Sequence, residues 1–186
     1  MNTINERETA VLGLLFDYSL YGYEIEKIIK ERKMRNWTEI GFSSIYYVLK
    51  RLEEEDYVRS KKRLVRGRSR VIYSITRTGR RVLKEKINEL LSENSKQISP
   101  FELGIAYMHL LNPKDAIECL EKYLFSCQKR LDMLKDSLKK SKDELINYRK
   151  LALLERPLEL VDAEINWVKS FIANLQSNKE FLKGEH

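Results

Sequence analysis

The chain has 186 residues, 42% of them hydrophobic and 34% charged, which suits one ordinary domain or a small domain with a helical extension. Seven glycines and three prolines argue against long disordered or low-complexity stretches. The longest early apolar run, residues 10–16, is too short to span a bilayer, and Glu6 and Glu8 precede it where a secretory signal is basic. We therefore expect a cytoplasmic protein without a membrane segment.

The net charge of +7 is concentrated in the first half of the chain. Residues 1–86 hold 20 Lys and Arg against 12 Asp and Glu, whereas residues 87–186 hold 15 against 16. Eleven basic residues and no acidic residue lie between Tyr57 and Lys84. Because a basic run that neutralises phosphates releases condensed counterions, this distribution predicts that the N-terminal half meets nucleic acid.

Two short amphipathic helices are predicted to open the chain. Apolar residues at helical spacing indicate a first helix from Thr3 to about Tyr18 and a second from Tyr23 to about Lys33. Residues 19–22, which include a glycine, are expected to form the turn between them.

A third helix is predicted from Ser43, which can cap it, to Glu55. Apolar residues at the i, i+3, i+4 and i+7 positions turn one face inward, and its polar face could offer hydroxyls and an ammonium to base edges or phosphates. Tyr46 lies at the border, where core packing and a phosphate contact are both open. The alternative for the whole face is ordinary solvation. The residues predicted to contact DNA on this helix are Ser43, Ser44, Tyr46, Tyr47 and Lys50.

A basic β-hairpin is predicted to follow, opening at Tyr57, turning near Gly67 and returning over Val71–Ile75. Its cations repel one another, and a phosphate backbone or a narrow minor groove would relieve that repulsion. The alternative is a mobile, merely soluble wing. A helix followed by a basic hairpin predicts a winged helix-turn-helix, mainly α with a small β-hairpin wing. The predicted DNA-contacting cations of the hairpin are Lys61, Lys62, Arg63, Arg66, Arg68 and Arg70.

Thr76 or Thr78 can cap a fourth helix that runs to about Leu91. Three arginines stand near its start, at positions 77, 80 and 81, where the helix dipole disfavours cations, so phosphate contact explains them better than stability does. A boundary is expected over residues 95–100, which separates a DNA-binding domain (1–94) from a helical dimerisation and regulatory domain (100–186).

The second domain is predicted to contain a short helix over 101–111 and then long helices. Apolar residues recur at alternating spacings of three and four from Ile117 and again from Leu154, which is the pattern of helices packed lengthwise. Pro157 indicates that the last helix starts near it or is kinked there. The two long helices are expected to separate within 140–147. The predicted dimerisation residues are Leu120, Leu124, Leu131, Leu134, Leu138, Val161, Ile165, Val168 and Ile172.

No pattern for catalysis, a cofactor or a metal is present, so we expect neither an enzyme nor a cofactor. Cys119 and Cys127 are expected on one helix face, as small apolar residues at an interface or in a redox or intersubunit role. Aromatic residues in the second domain could line an effector pocket or simply fill a core, and Trp167 is the first candidate for effector binding. The other aromatic residues are Tyr107, Tyr123, Phe125, Tyr148 and Phe171.

Three stretches resemble PadR-type transcriptional regulators. They are AVLGLLFDYSLYGYEI (10–25), SSIYYVLKRLEEEDYV (43–58) and GRSRVIYSITRTGRRVL (67–83). They are similar to the opening helix, the recognition helix with its characteristic tyrosine (here Tyr46) and the wing of that family. Asp56 stands where the family usually has glycine, and Ser69 replaces a common proline.

The resemblance implies a homodimeric repressor that reads a palindromic operator in double-stranded DNA. It also implies release from DNA by a small effector, for which an aromatic molecule is the candidate, or by a change in dimer geometry. Two recognition helices must then lie about 34 Å apart to read successive major grooves. Two other functions stay open: a winged-helix scaffold that binds an acidic protein partner, and a nucleoid-type binder without sequence preference.

Overall fold

The computed structural model describes residues 3–41, 44–65, 67–94, 99–142 and 148–177. The chain divides into two compact units, Met1–Lys96 and Gln97–His186. The predicted fold class, mainly α with a small β wing, is confirmed.

The N-terminal unit contains four α-helices and three strands among its described residues. In chain order they are α1 (Glu6–Leu14), β1 (Leu20–Tyr21), α2 (Gly22–Glu31), α3 (Ser44–Glu54), β2 (Val58–Val65), β3 (Arg68–Ile75) and α4 (Arg77–Ser92), with a 3-10 turn at Met34–Asn36. The sheet is antiparallel, with the strand order β1-β3-β2. β2 and β3 form the predicted hairpin, with Val58 opposite Ile75 at its root and Val65 opposite Arg68 near its tip.

One apolar core holds these elements together. The inward residues of α3, namely Ile45, Val48, Leu49 and Leu52, are all buried, as their spacing predicts. They pack with buried residues of α1, α2 and α4 and with Val58 at the root of the hairpin. The recognition helix and the wing therefore share one core.

Several boundaries differ from the sequence expectations. α1 begins after Asn5, which forms a capping box with Glu8, and it ends at Leu14 instead of near Tyr18. The expected turn at 19–22 contains β1, which pairs with β3 and is too short to leave a periodic signal. β3 begins at Arg68, three residues before the expected Val71.

A tight junction joins α3, the hairpin and α4. Asp56 turns the chain in the left-handed conformation, with φ 53°, where the family usually has glycine. Thr76, and not Thr78, caps α4: its Oγ1 accepts from the Gly79 N–H (2.9 Å) and donates to the Asp56 carbonyl (2.7 Å). A Cβ added to Gly79 would lie 2.2 Å from the Tyr57 carbonyl oxygen, so glycine is required there. The junction fixes the root of the wing relative to α3.

The C-terminal unit is a helical hairpin with a short helical lead. It contains α5 (Pro100–Ala106), a 3-10 turn (Met108–Leu110), α6 (Pro113–Lys142) and α7 (Tyr148–Ser177). α7 begins nine residues before Pro157, which lies inside it, so the expectation that this helix starts near Pro157 is wrong. The expected separation of the long helices falls mostly on residues 143–147, outside the described residues.

The heptad residues pack α6 against α7 within one chain. Leu120, Val168 and Ile172 belong to one buried cluster, and Leu131, Val161 and Ile165 belong to a second. These six residues are therefore already covered without a second copy, whereas Leu124, Leu134 and Leu138 are half-buried, and the assignment of the seam to dimerisation stays a prediction. Cys127 is buried in this seam but Cys119 is exposed, so the two cysteines do not both pack in it.

A polar pair interrupts the apolar seam. The Tyr123 hydroxyl donates to Glu164 Oε1 across α6 and α7 (3.1 Å). Burial, and then this hydrogen bond and the charge of Glu164, raises the pKa of Tyr123 well above its ordinary value. Burial likewise raises the pKa of the neighbouring Cys127 thiol.

We predict that Gly79→Ala destabilises the N-terminal unit by about 1–3 kcal/mol, because the new methyl group overlaps a backbone carbonyl that cannot move freely. Gly13→Ala is the matched control, since a Cβ there meets nothing within 4 Å. It lies in α1 and should stabilise the unit by about 0.5–1 kcal/mol. Denaturant unfolding measures both changes, and equal effects would contradict the packing of this junction.

We also predict a loss of stability of the C-terminal unit at alkaline pH that depends on Tyr123. The stability that Tyr123 contributes is fully present below the pKa of tyrosine in the unfolded chain, which is about 10. This stability is lost as pH rises through the higher pKa of the folded protein, at no more than about 1.4 kcal/mol per pH unit. Tyr123→Phe should reduce the difference in unfolding free energy between about pH 8 and pH 11. Tyr148→Phe, at an exposed position in the same unit, should leave that difference unchanged.

Candidate nucleic-acid interface

The outer face of α3 presents two tyrosines and a lysine to solvent. Tyr46 and Tyr47 are 58% and 67% exposed. Lys50 is exposed and forms an ion pair with Glu54, one turn along the helix, at 3.7 Å. Such a pair contributes little stability when both groups are in water. Ser44 Oγ donates to the Gly41 carbonyl (2.7 Å). This face offers hydroxyl groups and a cation for polar contacts.

Tyr46 has an exposed side and a packed side. A Cβ added to Gly22 would lie 2.7 Å from Tyr46 Cε1, so the ring lies directly against the start of α2. The absence of a side chain at Gly22 is what admits the ring. Tyr46 is thus neither a core residue nor a freely moving one, and its hydroxyl is held at the edge of the α3 face.

Arg51 is exposed and forms an ion pair with the buried Glu8 of α1. Its Nε lies 3.0 Å from Glu8 Oε1, and the Glu8 side chain is 4% exposed. The other carboxylate oxygen accepts from the Asn5 N–H (2.8 Å). Removing Arg51 would leave the buried Glu8 carboxylate without its ion pair, so this pair ties α3 to α1.

The two faces of the wing differ in chemistry. Because residues paired across antiparallel strands share a face, the register places Val58, Ser60, Lys62 and Leu64 together with Ile75, Tyr73, Val71 and Ser69. We call this the core-side face, since its root packs into the core. The opposite, basic face carries Arg59, Lys61, Arg63, Arg68 and Arg70.

The basic face concentrates like charges. Arg63 and Arg70 are directly opposite each other across the strands, an arrangement that destabilises an isolated hairpin. The Arg70 guanidinium lies 4.8 Å from the ring centroid of Tyr23, which stacks on Tyr21. Arg70 therefore braces the wing against α2 by a cation–π contact, a role that the sequence did not indicate.

The start of α4 also engages its arginines. The Arg80 guanidinium lies 4.6 Å from the ring centroid of Phe16, and Arg81 Nη1 lies 3.0 Å from Glu85 Oε1. The unfavourable dipole at this helix end is thus partly offset by local contacts. All three arginines, Arg77, Arg80 and Arg81, are exposed.

The structure brings most of the predicted DNA-contacting residues into one unit, on α3 and on the wing. Ser43 and Arg66 lie outside the described residues. Lys62 lies on the core-side face, away from the other described wing cations. The role of each of these side chains in DNA binding stays a prediction.

The C-terminal unit holds an aromatic cluster around the candidate effector residue. Trp167 stacks on Phe171 (centroids 4.9 Å apart) and meets Phe101 edge to face at 6.3 Å. Phe101 stacks on Tyr123 at 3.9 Å. The sequence did not indicate Phe101, because it is the one aromatic residue of the short helix α5 and shows no periodic pattern. Phe125, Tyr148 and Tyr107 are exposed and make no ring contact with this cluster.

The part of the chain that the structure describes contains neither a membrane-spanning helix nor a metal-binding cluster. None of its helices is long and apolar enough to cross a membrane. None of its His, Cys, Asp and Glu side chains form a group of three or more that could hold a metal ion.

The fold and the exposed faces of α3 and the hairpin define a winged helix-turn-helix protein. Residues 11–85 match the model of the transcriptional regulator PadR-like family. This segment is therefore similar to the PadR-like winged helix, as the sequence motifs indicated. No curated protein sequence is significantly similar to the chain.

Solved structures share the fold over both units. Bacillus subtilis PadR in complex with operator DNA is 20% identical, with a TM-score of 0.74 over 94% of this chain and 99% of that chain. B. subtilis PadR in complex with p-coumaric acid is 21% identical, with a TM-score of 0.73 over 91% and 98%. The Vibrio cholerae virulence activator AphA is 16% identical, with a TM-score of 0.70 over 92% and 99%.

Proposed function

We propose that this protein is a sequence-specific DNA-binding transcriptional regulator without enzymatic activity that acts in the cytoplasm. Residues 1–94 bind DNA, and residues 100–186 form a homodimer that places two winged helices on a palindromic operator. Repression is the simplest outcome, because a dimer that covers a promoter blocks polymerase without further contacts.

One observation carries this proposal: an exposed polar helix face lies beside a hairpin whose charges have almost no local counter-charge. Among the described residues of the wing, Arg59 is the cation with an acidic neighbour, Asp56 at 3.9 Å, and that pair is exposed. Phosphate groups supply the missing charge, whereas α3 fits the major groove and can read base edges there. The solved complex of B. subtilis PadR with operator DNA supports this use of the fold.

A small aromatic effector is part of the proposal. The B. subtilis protein was solved with p-coumaric acid, and this chain has an aromatic cluster in which Trp167 is 46% exposed. A planar aromatic molecule can stack on such a ring. We propose that effector binding at Trp167 weakens operator binding.

We predict that the protein prefers duplexes selected from a random-sequence library over scrambled duplexes by about a hundredfold or more. Replacing Lys61, Arg63 and Arg68 with Ala should weaken binding to both and lower the slope of log affinity against log salt by about 2–3. Tyr47→Ala should change which sequences are preferred.

The matched control for the wing removes the same charge from the C-terminal unit, by replacing the exposed Lys114, Lys135 and Lys139 with Ala. It should leave the salt slope near the wild-type value. Equal loss in both triple variants would mean that net charge, and not the wing, drives binding. Equal binding to selected and scrambled duplexes would point to a nucleoid-type binder, and no binding to either would point to an acidic protein partner.

For the effector, we predict that p-coumaric acid gives a saturable binding heat in calorimetry and that Trp167→Ala abolishes it. Trp37→Ala is the control, because Trp37 is similarly exposed at 49% but belongs to the N-terminal unit. Loss of the heat in both variants, or in neither, would contradict an effector site at Trp167.

A further inference from the structure

The tip of the wing carries a leucine that the core does not use. Leu64 is 79% exposed, although it lies in a regular strand and its partner across the hairpin is Ser69. Single exposed leucines are common on protein surfaces, so exposure alone assigns no role. The place and the surroundings of Leu64 are what distinguish it.

Leu64 lies on the core-side face of the wing, the face directed toward α3. At the root of this face, the Ser60 N–H donates to Glu53 Oε1 of α3 (3.1 Å). Burial, and then the nearby Glu53 and Tyr46, raises the pKa of Tyr73 on the same face, which again places α3 beside it. Side chains alternate along a strand, so the even-numbered residues 60, 62 and 64 continue this face outward.

Leu64 projects well beyond the core. It is four residues past Ser60, whose N–H donates to Glu53 of α3, and four residues span about 13 Å at the rise of a strand. At the same level, the basic face carries Arg63 and Arg68. Leu64 therefore lies on one face of the tip, next to Lys62, and Arg63 and Arg68 lie on the other, and residues 58–76 contain no acidic side chain.

This combination matches DNA better than another protein surface. The cations suit the phosphate walls of a groove, whereas an aliphatic side chain at the same level of the hairpin suits the floor, where bases stack. Proteins that enter the minor groove use leucine and similar side chains to open a base step and bend the duplex. Pyrimidine–purine steps open most easily, so such a contact also selects sequence.

We propose that Leu64 is an apolar wedge that enters the minor groove beside the operator bases read by α3 and bends the DNA there. This rests on the proposed DNA-binding function and adds a specificity-determining residue to it. The cations of the basic face contact the phosphates of the groove, and Leu64 contributes contact and sequence preference without contributing charge.

The experiment measures affinity and bending on a duplex selected from a random-sequence library by the wild-type protein, with a dye pair at its two ends to report the bend. Leu64→Ala should lower affinity for this duplex about tenfold, as expected for losing a leucine-sized apolar contact. It should reduce the bend and leave the salt slope unchanged, because no charge is removed. Leu64→Met should restore most of the affinity and the bend.

Leu91→Ala is the matched control, since Leu91 is 83% exposed in the same unit but lies in α4, away from the wing. It should change neither affinity nor bend, and both variants should melt like the wild type. If the wild type prefers the selected duplex but Leu64→Ala binds and bends it equally well, the wedge is wrong and the proposed function stands. If the wild type shows no preference over a scrambled duplex, both are overturned.

Discussion

The N-terminal unit depends on the close approach of α4 to the residue that opens the hairpin. Thr76 and Gly79 hold the first turn of α4 against the backbone of Asp56 and Tyr57, where α3 has just ended. This contact leaves no room for a side chain at position 79. It fixes the angle at which the wing leaves α3. Because this angle is set before binding, α3 and the hairpin can contact one ligand at two places without the entropy cost of ordering them relative to each other.

The wing carries a high density of positive charge on this rigid root. Arg63 lies opposite Arg70 across the strands, and the ring of Tyr23 packs under the Arg70 guanidinium, as the ring of Phe16 packs under Arg80 at the start of α4. Aromatic rings hold the guanidinium stems in place without neutralising them. The wing therefore keeps its positive potential for a polyanion, at some cost in stability for the free protein.

Sequence reasoning was strongest where periodicity and burial coincide. The inward face of α3, the hairpin and the long helical seam were all predictable, because each buries a regular apolar pattern. It was weaker where a single contact determines the local structure. The two-residue strand β1 has no period, and helical spacing places Arg51 on the exposed face without indicating its ion pair with Glu8. A heptad seam also looks the same whether its partner is the next helix of one chain or a second copy.

The central claim is that α3 and the wing contact the same duplex, the wing through its minor groove. An iron chelate that generates hydroxyl radicals, attached through Ser69→Cys in a background with Cys119→Ser and Cys127→Ala, tests it most directly. The account predicts cleavage confined to the minor groove beside the recognised bases, on both strands. Cleavage spread evenly along the duplex, or no more cleavage than from the same chelate attached at Ser177→Cys on α7, would contradict it.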